Sequence, residues 1–236
     1  FGVMGLLLGA LQVGRPIVAE RYLASSQISE TRGAFTDAEK DVRRAMAIDE
    51  WQRLRPKPYL QLGILYKKMG LADRPETFFS RAADLQARGL VPEALFEYGR
   101  AANGGDLELG RVALTEKAKL ASHYASTLYK TGVTGEACHY WLVSIQANPE
   151  EINGRFGAAR AFHDMADYWK AIKYFEQIFT KTSQPCLIAD IANDLGDCWY
   201  KLGHSDTARK YYMASRKWPG RVNYRALKTL TARYYK

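Results

Sequence analysis

The sequence predicts an all-α chain, an α-solenoid of stacked helix–turn–helix repeats, with an N-terminal transmembrane helix segment. Three observations carry this expectation. A small residue, a large one four positions on and a third, usually small residue three further on recur along the chain. The copies are Ala38/Val42/Ala45, Ala94/Tyr98/Ala101, Ala137/Trp141/Ser144, Ala171/Phe175/Ile178 and Ala208/Tyr212/Ser215, with a weaker one at Pro75/Phe79/Ala82. The last three start 34 and 37 residues apart, a period typical of stacked helix pairs. Turn signals punctuate the helical pattern, among them Arg32-Gly33, Met69-Gly70, Arg88-Gly89, Asn103-Gly104-Gly105, Thr131-Gly132, Asn148-Pro149, Gln184-Pro185, Leu202-Gly203 and Pro219-Gly220. No run sustains the period-two alternation of a strand, so no sheet is expected.

The first element is apolar. Phe1 to Gly14 carries no charge and one polar side chain, Gln12. As a helix it would be about 21 Å long, short of the roughly 30 Å hydrocarbon core. The chain starts at phenylalanine, so residues 1–18 are expected to be the last part of a transmembrane helix whose beginning lies upstream. Arg15 would sit at the interface and Pro16 at the exit. Two other readings stay open. A secretory leader is disfavoured by the absence of a basic start and of a small-residue cleavage site. An apolar cap helix packed on the array is the third. Gly5 and Gly9 form a G-x-x-x-G pair that could admit a second membrane helix.

From Ile17 the small–large–small pattern takes over, and here a resemblance becomes specific. Residues 56–87 carry Tyr59, Leu62-Gly63, Tyr66, Gly70, Phe79 and Ala82, with Pro75 where the first small residue of the second helix would stand. Residues 118–151 carry Tyr124-Ala125, Leu128, Gly132, Ala137, Trp141, Ser144 and Pro149. Residues 152–185 carry Ala158-Ala159, Phe162, Ala166, Tyr168, Ala171, Phe175, Ile178 and Pro185. Residues 189–222 carry Leu195-Gly196, Trp199, Gly203, Ala208, Tyr212 and Ser215. This pattern resembles the tetratricopeptide repeat (TPR), a pair of helices A and B with a conserved small–large code. A first, atypical repeat over 19–52 keeps Gly33, Phe35, Ala38 and Ala45 but has Ser25-Ser26 on its helix A.

Residues 83–117 depart from the pattern, through either an extra helix or a divergent repeat. The expected organisation is a first sub-array over 19–102, an irregular connection over 103–117, a second sub-array over 118–222 and a basic capping helix over 223–236. The charge supports a distinct end. Of 34 basic and 25 acidic residues, nine basic and no acidic ones lie between Arg209 and Lys236, so that stretch holds the whole net charge of +9. Arg221, Arg225, Lys228, Arg233 and Lys236 could meet anionic lipid or an acidic partner, or keep the array soluble. Nucleic acid is disfavoured because no binding motif accompanies the charge.

Hydrophobic content of 47% with 25% charged residues is that of a folded chain. No phosphate-cradling glycine loop, H-E-x-x-H or G-x-S-x-G is present. His123, His139, His163 and His204 are scattered, and Cys138, Cys186 and Cys198 lack a paired spacing, so they are expected to be small buried apolar residues. Neither catalysis nor a cofactor or metal is therefore expected. The TPR resemblance instead implies a protein ligand held by the exposed stripe of each helix A. By repeat position that stripe comprises Lys119, Ser122, Ser126 and Tyr129, then Phe156, Arg160 and His163, then Asn193, Asp197 and Tyr200. It does not reproduce the Lys/Asn/Arg clamp with which some family members hold a terminal carboxylate.

Three functional expectations follow. The leading one is a non-catalytic, membrane-anchored scaffold that binds a membrane-associated partner, the repeats lying in a bacterial periplasm. A transmembrane helix running into such repeats is also similar to the C-terminal end of O-antigen ligase/polymerase-like proteins, which transfer glycans within the membrane. In that case these residues would be accessory to an enzyme. The third is a soluble adaptor with an uncleaved leader.

Overall fold

The computed structural model describes residues 18–48 and 56–216, and all regular structure among them is helical. Eleven helices follow one another among these residues. They are α1 (residues 18–31), α2 (Phe35–Ile48), α3 (Pro56–Lys68), α4 (Pro75–Ala87), α5 (Val91–Ala102) and α6 (Leu107–Lys130), then α7 (Thr134–Ala147), α8 (Ile152–Asp164), α9 (Tyr168–Phe179), α10 (Pro185–Lys201) and α11 (Ser205–Ser215). Two compact units divide between Leu120 and Ala121, within α6. The expected anchor over 1–18, with Gly5 and Gly9, lies outside the described residues except for Val18, which opens α1. So does the basic capping helix over 223–236, with Arg221. Among the described residues no helix is long and apolar enough to cross a membrane.

The turns explain why the helices pair. After α1, α3, α4, α6, α8 and α10 the chain closes with one and the same cap. The left-handed residue donates its amide to a carbonyl three back, and the next residue donates to the carbonyl five back. Gly132 N to Tyr129 O at 3.1 Å and Val133 N to Leu128 O at 3.0 Å are one instance. This is the 6→1, 5→2 arrangement that satisfies the last carbonyls of a helix. It needs a positive φ, which Gly33, Gly70, Gly89, Gly132 and Gly203 adopt readily. At the equivalent place after α8 stands Ala166, with φ 62°, in the region where a Cβ is strained.

Between paired helices, size does the rest. In the second unit, α7 packs on α8, α8 on α9, α9 on α10 and α10 on α11. Trp141 of α7 is buried, its ring 5.3 Å from that of Tyr129 on α6. On its other side lies Gly157 of α8, where an added Cβ would fall 2.0 Å from the indole. Phe175 of α9 is fully buried against Phe156 of α8. Burial of one such side chain contributes about 2–3 kcal/mol. Gly196 of α10 is pressed in the same way onto Tyr212 of α11. The small positions thus let backbones approach, and the large ones fill the gaps so created.

In the first unit, α2 packs on α3, α3 on α4 and α4 on α5. The irregular stretch resolves into an extra helix. Against α3, the buried Phe79 and Ala82 of α4 act as the second helix of a pair. Yet α4 turns through Arg88-Gly89-Leu90 into α5, whose Ala94, Tyr98 and Ala101 make it a second-type helix paired with α4. Tyr59, Phe79 and Tyr98 form an edge-to-face ladder across α3, α4 and α5, with centroids 6.5 and 5.3 Å apart. Helix α4 therefore serves two pairs.

The expected irregular connection 103–117 shrinks to a four-residue turn, 103–106, and its remainder belongs to the 24-residue α6. The cause is local. The Asp106 carboxylate accepts from the amides of Glu108 at 2.9 Å and Leu109 at 3.1 Å, capping α6. Gly110 does not break that helix: it lets α6 approach α5, an added Cβ lying 3.1 Å from the Ala102 carbonyl oxygen.

The atypical first repeat is also explained. Ser26 of α1 is fully buried, donates to the Leu23 carbonyl at 2.9 Å and accepts from the Gln61 amide of α3. A polar triplet replaces apolar contact there, and each member has a partner. Of the cysteines, Cys138 and Cys198 are buried as expected, but Cys186 is exposed. It sits in the first turn of α10, directly after Pro185.

Candidate functional site

The candidate site lies in the second unit, on the exposed stripes of α8 and α10 and the end of α6. Phe156, Arg160, His163 and Asp164 fall at positions i, i+4, i+7 and i+8 of α8, which places them on one stripe. Asn193 and Asp194 lie one turn ahead of Asp197 on α10, and Asp190 one turn before Asp194. The Arg160 guanidinium stands 4.6 Å over the Phe156 ring and donates from Nε to Asp194 Oδ2 at 3.3 Å. The Tyr129 hydroxyl donates to Asp164 Oδ2, and Asp164 Oδ1 lies 3.3 Å from His163 Nδ1. Asp197 Oδ1 accepts from the Tyr212 hydroxyl of α11 at 2.6 Å. Two side-chain links therefore join successive first helices of the pairs, α6 to α8 and α8 to α10.

Electrostatics bind these groups into one cluster. Burial pushes the Asp194 carboxyl up to about 6, with the Asp197 charge adding to the rise and Arg160 and His163 opposing it. Tyr129 is pushed up to about 12, first by burial, then by its bond to Asp164 and the Asp164 charge. Burial and the bond to Asp197 hold Tyr212 above the ordinary phenol range. Burial next to Asp194 and Asp197 pushes the Cys198 thiol up to about 12, so at neutral pH it is no nucleophile. Two buried atoms here have no hydrogen-bond partner, Asn193 Oδ1 and His163 Nε2.

The stripe expected from repeat position is brought together only in part. Tyr129, Phe156, Arg160 and His163 do share one cluster. Asp197 joins it by charge, while one of its oxygens is taken by Tyr212. Asn193 is 2% exposed, so it underlies the surface rather than forming it. Ser122 is buried too, and Ser126 spends its hydroxyl on the Ser122 carbonyl at 2.9 Å. Lys119 is exposed, belongs to the first unit and pairs with Glu116 at 2.9 Å. Tyr200 is partly exposed at the last turn of α10.

Asp164 and Asp194 were not expected, because each stands one residue beyond a position, His163 or Asn193, that the repeat comparison named. A signal existed: Arg160 and Asp194 are 34 residues apart, and Tyr129 and Asp164 are 35 apart. Those separations equal one repeat, so complementary groups at that spacing meet between neighbouring first helices. Among the described residues no three His, Cys, Asp or Glu side chains are grouped to hold a metal ion. The first unit has its own groove, of about 810 Å³, between α3 and α4, with Leu60, Ile64 and Ala72 in its lining and Lys67, Lys68 and Arg81 beside them.

No family model matches the sequence, and no curated protein matches it. Solved structures do resemble it in the arrangement of helices. PilF of Pseudomonas aeruginosa is 16% identical with a TM-score of 0.45, the match covering 92% of this chain and 99% of that one. YrrB, described as a TPR protein with an unusual peptide-binding site, is 14% identical with a TM-score of 0.45, covering 89% and 90%. MamA is 15% identical with a TM-score of 0.40, covering 85% and 91%. At this level of similarity the neighbours identify neither a family nor a ligand for this chain.

Proposed function

We propose that this chain is a non-catalytic protein-interaction scaffold, whose binding surface is the α6–α8–α10 face of the second unit. One observation carries the reading. Two side-chain links, Tyr129 to Asp164 and Arg160 to Asp194, run between successive first helices and hold a polar surface with an aromatic floor. Interaction surfaces of this kind rely on aromatic and arginine anchors within a polar rim. The resemblance of the repeats to the TPR family supports the same role. Changing Phe156, Arg160 and Tyr200 together to alanine should weaken capture of the partner by at least tenfold while the helical circular-dichroism signal persists. Unchanged capture would remove this face from the function.

We further propose that the apolar stretch Phe1–Gly14 brings the array to a bilayer, with the repeats on the periplasmic side of a bacterial membrane and a membrane-associated partner. The support is the composition of that stretch, which has no charge over 14 residues. Removing residues 1–18 should release the protein from membranes washed in high salt. Retention of the shortened protein would overturn the anchor.

A further inference from the structure

From the geometry of the α8–α10 face we infer that the partner segment is cationic, entering with a lysine or arginine side chain between Asp164 and Asp194. This rests on the reading of that face as the binding surface, and adds the chemistry of what it takes. The first argument is a charge count at the cluster. Asp164, Asp194 and Asp197 stand against one guanidinium, Arg160, and the His163 imidazole, while the chain as a whole carries +9. Asp190 extends the acidic stripe one turn toward the start of α10, and Lys201 follows only beyond its other end. The face is thus negative on a basic protein.

The second argument is a hydrogen-bond census. Asp194 gives one oxygen to Arg160 and Asp197 one to Tyr212, and the second oxygen of each accepts no hydrogen bond among the described residues. The Tyr129 hydroxyl is spent on Asp164. Beneath them the Asn193 amide oxygen, nine-tenths and more buried, is a further acceptor without a donor. It lies on the stripe it shares with Asp197, one turn away. An orphaned buried acceptor is a cost to the fold. Surplus acceptors on a net negative face match an ammonium or guanidinium group, whose N–H groups are all donors. A carboxylate or phosphate would meet three like charges. This polarity is the reverse of a basic clamp for a terminal carboxylate.

The test uses the full chain and a phage-displayed library of random twelve-residue peptides, selected at 0.15 M salt. Three proteins are compared: the unaltered chain, the Asp164→Asn/Asp194→Asn double variant, and the Phe156→Ala/Arg160→Ala/Tyr200→Ala triple variant. The two asparagines keep an acceptor for Tyr129 and for Arg160, so the links between helices persist. The expected result is enrichment of lysine and arginine at fixed positions of the selected peptides. Synthetic copies should bind the double variant roughly tenfold more weakly. Peptides selected without basic residues, which lose binding only to the triple variant, would overturn the cationic partner and leave the binding face standing. Absence of enrichment, or peptides indifferent to both variants, would remove the binding face and the inference with it.

Discussion

Consider replacing Asp194 with asparagine, an exchange of one oxygen for an amide nitrogen at nearly constant volume. In the folded protein the carboxyl is held at about 6, against an ordinary value of 3.8. Its side chain is 19% exposed, so the shift is not dissipated by solvent. The folded state therefore binds this proton more tightly than the unfolded chain does. Stability contributed by Asp194 is highest where it is protonated in both states and falls as pH rises from about 4 through about 6. Above that range it is constant. A gap of about two units corresponds to roughly 3 kcal/mol as an upper value.

Asparagine mimics the protonated form and still offers Arg160 an oxygen. The Asp194→Asn protein should accordingly be more stable than the unaltered chain by about 1–3 kcal/mol at pH 7.5. The gain should shrink toward its low-pH value by pH 4.5. Urea denaturation followed by far-ultraviolet circular dichroism, run on both proteins from pH 4.5 to 7.5, measures the difference directly. Taking the difference cancels the other titrating groups. A variant less stable at pH 7.5, or a difference that does not change with pH, would refute the reasoning. The confirming result would mean that a carboxylate is kept ionised on the α10 face at a cost to the fold, as a binding group would be.

Two further predictions concern the helix-pair code. Ala166→Gly removes a Cβ from a residue at φ 62°, the place that glycine takes in the five other turns of this type, and should raise stability by about 0.5–1 kcal/mol in the same urea assay; a loss would show the alanine is not strained. Gly157→Ala puts a methyl 2.0 Å from the Trp141 indole and should cost about 2–3 kcal/mol or more, whereas Gly135→Ala, with open space around it, should be close to neutral; equal effects would deny the close approach of α7 and α8.

Much of the architecture was legible because helix pairing depends on side-chain size, and size is written in the sequence. Ala137, Trp141, Ala171 and Phe175 state where backbones approach and where rings fill the gap. What could not be read is the double use of a helix. Phe79 and Ala82 announce only that α4 has a packed face; the turn through Gly89 gives it a second partner in α5. The Asn103–Asp106 turn is a strong break, and nothing in 107–117 marks it as irregular, since Gly110 serves close approach there. At the site, Phe156, Arg160 and His163 follow from the position of the first helix within the repeat. Asp164 and Asp194 do not, because their roles arise between repeats, one period apart. Burial of Ser122 and Asn193 likewise depends on how closely neighbouring helices lie, which a single stripe does not report.

The central claim is that the partner lies along the α8–α10 face. It is tested most directly by placing a photo-cross-linking amino acid at position 153, exposed on α8 one turn before Phe156, and in a second protein at position 169, exposed on α9. Neither position touches the Arg160–Asp194 or Tyr129–Asp164 links. Irradiation in the native cell should join a discrete partner to the first protein and none to the second. A partner joined only from position 169, or equally from both, would contradict the assignment of this face.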